Sequence, residues 1–135
     1  MVEESSYLTS RDFQRAASQR LDTAAFLLKN RYNLDAMYLA GYAIECTLKA
    51  LILELTPDSE RVKRLDQIKT HNLEKLGAIL KDLGRPIPLE LVEKFRKSGW
   101  STGLRYETGR IDTGRTRWYL KTVNQAYNWV EGQLP

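Results

Sequence analysis

The chain has 135 residues, enough for one domain around one core, with 42% hydrophobic residues, 28% charged residues and a net charge of +4. A single cysteine excludes an internal disulfide, and with a single histidine it leaves no ligand set for a structural zinc. The opening Met-Val-Glu-Glu-Ser-Ser is acidic where a secretory signal is basic, so the expectation is a reduced, metal-free cytoplasmic protein without a membrane anchor.

The first helical signal is Thr9-Ser10-Arg11-Asp12, with Thr9 placed as N-cap and Asp12 as N3. Phe13, Ala17, Leu21, Ala24 and Leu28 then form one apolar stripe, which predicts an amphipathic surface helix ending near Asn30-Arg31-Tyr32. Asn33 is placed as the N-cap of the next helix. That helix, centred on Ala36 to Leu53, is apolar almost all round and broken only by Glu45, Thr47 and Lys49. With no polar face it must be wrapped by other elements. A membrane span is excluded, since 18 residues with two central charges are short and costly in lipid. Thr56-Pro57-Asp58 stops it.

Residues 57–71 are polar, with Val62, Leu65 and Ile68 spaced for a short helical turn. Thr70-His71-Asn72 precedes the stripe Leu73, Leu76, Leu80 and Leu83, closed by Gly84 and Pro86. A further helix starts at Pro88, turning Leu89, Val92 and Phe95 inward, and ends before Gly99. Residues 98–114 hold four of the eight glycines and read as a long basic loop. The last helix spans roughly Thr116 to Gly132, with Tyr119, Val123, Ala126 and Val130 on one stripe. The fold expected is all-α: one domain, an antiparallel up-and-down bundle of four main helices with an additional short helix.

The charge is uneven. Residues 1–93 carry 13 basic and 14 acidic side chains, whereas residues 94–121 carry eight basic against two acidic, for +6. A concentrated basic segment points to an anionic partner or to a solvated surface. Inside the central helix, Glu45 and Lys49 stand in the favourable order for an i,i+4 ion pair, and Tyr38 and Tyr42 continue that face. The pair is either structural or the wall of a polar site in which Lys49 meets phosphate. His71 must carry any histidine chemistry, or else it anchors a backbone group. Arg105, Tyr106 and Arg110 bring guanidinium donors and a ring to the glycine-rich loop, which suits phosphate binding and base stacking as well as loop anchoring. The glycines match neither a Walker A loop nor a dinucleotide fingerprint, and no DNA-specific motif is present.

Leu34 to Glu45 followed by Leu48-Lys49-Ala50-Leu51, then Thr70-His71-Asn72-Leu73 with Leu76, then Leu104-Arg105-Tyr106, together resemble the HEPN domain family over residues 10–132. The resemblance implies an up-and-down helical bundle that forms homodimers and associates with nucleotides or RNA. It also implies a nucleotidyltransferase partner in toxin–antitoxin or defence systems. Many members are metal-independent ribonucleases with an Arg followed four to six residues later by His, late in the chain. No His follows Arg105, Arg110, Arg115 or Arg117 here, and Arg64 and His71 fit the spacing only in a different part of the chain. The reading is therefore a cofactor-free nucleotide- or RNA-binding protein without the usual nuclease motif. Its site would be lined by Tyr42, Glu45, Lys49, His71, Arg105, Tyr106 and Arg110. The alternatives are a ribonuclease using His71 with Arg64, or a protein-interaction module.

Overall fold

The computed structural model of the chain describes residues 8–98, 108 and 110–135. The described residues form α1 (Ser10–Lys29), α2 (Asn33–Leu55), a 3-10 turn (Asp58–Glu60), α3 (Arg61–Gln67), α4 (Leu73–Asp82), α5 (Leu89–Ser98) and α6 (Thr113–Glu131), with no strand among them. Three helices are long, of 20, 23 and 19 residues, and three are short.

The α2 helix is the post on which the others lean: α1, α6, α4 and α3 all pack against it, and α5 packs against α6. Its inner positions alternate bulk and emptiness. Ala36, Ala40, Ala43 and Ala50 of α2 and Ala17 and Ala24 of α1 are all fully buried, and small residues of this kind let packed helices approach closely. Met37, Ile44, Leu48, Leu51, Ile52 and Leu53 fill the space toward α4 and α6. Each such side chain contributes roughly 1.5–3 kcal/mol by leaving water. By length and composition α2 could cross a membrane, but 72% of its most apolar window is buried inside the protein. Its apolarity is accounted for by its neighbours.

The ends of the helices follow local chemistry. Thr9 and Asp12 form the full capping box expected at the start of α1. Leu28 accepts from Arg31 N and Leu27 accepts from Tyr32 N, which closes α1 as a Schellman turn with Arg31 at φ 65°. Gly84, at φ 78°, closes α4 the same way with a residue suited to that region. The Asp112 side chain accepts from Arg115 N, so α6 starts three residues before the position expected from Thr116. Asn33 does not cap α2. Its amide instead donates to the Ile111 carbonyl and the Thr113 hydroxyl, tying the first turn of α2 to the start of α6.

Two faces differ from expectation. Leu89 is 69% exposed, and α5 buries Leu91 and Ser98 with Phe95 half-buried between them, one ridge round from the predicted stripe. The turn over 57–71 is real helix, but it buries Leu65 and Ile68 and leaves Val62 in solvent.

Candidate functional site

Tyr38, Tyr42, Glu45 and Lys49 lie four, three and four residues apart, one continuous ridge of α2. Facing this ridge is the connection between α3 and α4. Ile68 and Leu76 are buried on either side of it, Thr70 Oγ1 accepts from Asn72 N, and Asn72 Oδ1 accepts from Glu74 N and Lys75 N. That short, pinned turn carries His71 against the ridge.

His71 Nδ1 stands 2.9 Å from Glu45 Oε2. The two partners occupy different media: the Glu45 side chain is 3% exposed and that of His71 is 56% exposed. With the carboxylate ionised, Nδ1 carries the proton and donates, which turns Nε2 outward. The Tyr42 ring meets the imidazole edge-to-face at 5.4 Å between centroids, and Tyr38 meets Tyr42 at 4.9 Å with their hydroxyls 2.7 Å apart. The four side chains form one connected patch: a buried acid, a half-exposed imidazole and two phenols.

The i,i+4 pair expected between Glu45 and Lys49 does not close. No salt bridge joins them, and the carboxylate is held by His71 from another element. Lys49 still acts through its charge. Burial pushes the Glu45 carboxyl above its ordinary value, while the His71 bond, the His71 charge, Lys49 and Arg20 pull it back. Glu45 Oε1 is buried without a hydrogen-bond partner. The nearby Tyr119 phenol, also unpartnered, is driven far above its usual range by burial first and by the Glu45 charge second. Burial likewise raises the Cys46 thiol above its ordinary value.

Of the site residues read from the sequence, Tyr42, Glu45, Lys49 and His71 come together. Arg105 and Tyr106 lie outside the described residues. Arg110 belongs elsewhere: it lines an open hollow with Arg31, Asn33 and Thr113 at the start of α2, about 18 Å along the helix axis from Glu45. Arg64 binds Gln67 on its own helix. Arg20 was not anticipated; it falls off the apolar stripe of α1, yet its charge reaches both Glu45 and Cys46. Among the described residues, no three His, Cys, Asp or Glu side chains come together as a metal site.

A family model for the HEPN domain matches residues 10–133, nearly the whole chain. The chain belongs to that family, whose members are nucleotide- or RNA-associated helical proteins. No curated protein and no solved structure matches it.

Proposed function

We propose that this HEPN-domain chain binds the phosphate of a nucleotide or of RNA at the His71 patch. It would work as a homodimer and beside a nucleotidyltransferase partner in a toxin–antitoxin type of system. The observation that carries the site is the buried Glu45 carboxylate on His71 Nδ1 with the rest of the ring left exposed. The exposed Nε2 edge of the ring held this way faces the ligand, Lys49 adds a point charge one turn away for a phosphate oxygen, and Tyr42 offers an aromatic edge. Arg105 and Tyr106, outside the described residues, are the further candidates read from the sequence. Titration with mononucleotides and short RNA at low salt tests the reading. Binding should weaken in His71→Ala and Lys49→Ala, and in Arg105→Ala; binding unchanged in all three overturns it. Analytical ultracentrifugation and co-purification with the neighbouring gene product test the dimer and the partner.

A second reading has one observation behind it. A carboxylate orienting a histidine is also the arrangement of a general base, so a metal-independent ribonuclease centred on His71 is the alternative. RNA incubated with the protein in chelator decides this. Cleavage lost in His71→Ala supports it, and intact RNA with the wild-type chain removes it.

A further inference from the structure

Between the C-terminal half of α1 and the N-terminal half of α6 runs an open groove of about 830 Å³, floored by Ala25, Leu28 and Leu120. Lys29, Arg31, Arg117 and Lys121 line it, and no acidic residue does. It adjoins the hollow of about 510 Å³ that holds Arg110, sharing Arg31 and Thr113 with it. The one carboxylate in the pair of cavities, Asp112, is engaged as the cap of α6. All five cations are exposed.

Among the described residues some cations elsewhere are paired and others, such as Lys63, Lys75 and Lys97, are not; none of the groove's is. Arg11, Arg15, Arg61, Lys69 and Lys94 each meet a carboxylate within 4 Å. Lys29, Arg31, Arg110, Arg117 and Lys121 make no ion pair among the described residues. Arg117 and Lys121 stand one turn apart on α6, where like charges repel. Such departures from local consistency concentrate at functional surfaces.

We infer that the α1–α6 groove is a track for the phosphate backbone of single-stranded RNA, separate from the His71 patch. The inference rests on the proposed nucleotide or RNA binding and extends it, because five cations spread over two adjoining cavities suit the repeated phosphates of a polymer better than a single phosphate group. A concave, apolar-floored channel suits a strand whose sugars and bases lie on Leu28 and Leu120, whereas a flat lipid surface would not reach its floor.

The test is fluorescence anisotropy of the full chain with a labelled oligouridylate of about 16 nucleotides, titrated between roughly 50 and 200 mM salt. Four to five phosphate contacts on a single strand give a log–log slope of about −3. The double variant Arg117→Glu/Lys121→Glu should bind at least about tenfold more weakly, with a slope shallower by about 1.4. Lys63→Glu/Lys69→Glu, the same charge change made outside the groove, should retain most of the affinity, and circular dichroism melts of both variants check folding. A groove variant that binds RNA with the parent's affinity and slope overturns the inference, as does a parent that binds anionic vesicles but no RNA. Mononucleotide binding separates the two sites. Weakened by His71→Ala with RNA unaffected by the groove variant, it leaves the His71 reading standing and sinks this one; the converse result does the reverse.

Discussion

Arg31→Gly should make the protein more stable and a poorer binder of RNA. Among the described residues Arg31 is the one non-glycine with positive φ, at 65°, in a turn that uses glycine at the equivalent position after α4. Holding an L-residue in the left-handed region costs about 1–2 kcal/mol. Glycine removes that cost but gives back about 0.4–1 kcal/mol by loosening the unfolded chain. The net gain is about 0.5–1 kcal/mol. With an unfolding entropy of about 2.1 cal/mol/K per residue over 135 residues, each kcal/mol moves Tm by about 3.5 °C, so a rise of roughly 2–4 °C is expected. The same change deletes one cation from the groove, and the salt slope of RNA binding should shrink by about 0.7. Arg31→Asn, which tolerates this conformation, should give a smaller gain in Tm and the same loss in slope. Differential scanning calorimetry and anisotropy on the same samples read both quantities. A lowered Tm refutes the strain argument. A raised Tm with unchanged RNA binding refutes the role of Arg31 in the groove.

Glu45→Gln should flatten the pH dependence of stability. The folded carboxyl titrates above its ordinary value of 4.5 because it is buried, so its contribution is full below that value and is lost as pH rises through the folded one. The variant should match the parent in acid and exceed it at neutral pH in urea titrations; a variant that falls behind at neutral pH contradicts this. Gln14, 1% exposed with both amide atoms unpartnered, should yield about 1–2 kcal/mol on replacement by Met, read as a higher denaturant midpoint at unchanged slope. Arg115 closes the end of α5 by donating Nε–H and Nη2–H to the Ser98 carbonyl. Arg115→Lys, lacking the fork, should cost about 0.5–1.5 kcal/mol and speed amide exchange in α5.

What the sequence made legible was local. The capping box at Thr9, the stop at Thr56 and the α6 stripe depend on neighbours within one or two turns, and each stands as read. The α1 stripe holds at Ala17, Leu21 and Ala24, with Phe13 and Leu28 packed at its edges; Gln14, buried beside them, was missed because of its polarity. In α5, ten residues offer two overlapping ridges through Phe95, and spacing alone does not choose between them. The partner of Glu45 was hidden for a different reason. His71 lies 26 residues away, and the i,i+4 rule pointed to Lys49 on the same helix. The groove was half visible. The +6 of residues 94–121 included Arg110, Arg117 and Lys121, while Lys29 and Arg31 were lost in a segment whose charges nearly cancel.

Three features of this chain work against its own stability: a buried Glu45 with an idle oxygen, a left-handed Arg31, and the like charges of Arg117 and Lys121 one turn apart on α6. All three open onto one of two surfaces, the His71 patch or the α1–α6 groove. The capping box at Thr9 and the buried alanines of α2, which line neither, follow ordinary rules. Strain that collects where ligand would sit is what a binding protein retains, because relieving it removes the group that binds. Gln14 is the useful exception. It is equally unsatisfied but lines neither the groove nor the hollow that holds Arg110, so Gln14→Met should gain stability with nucleotide and RNA binding intact, whereas Arg31→Gly gains stability and loses binding. If both variants keep their binding, the clustering of strained residues reflects packing alone and the two surfaces lose their strongest common support.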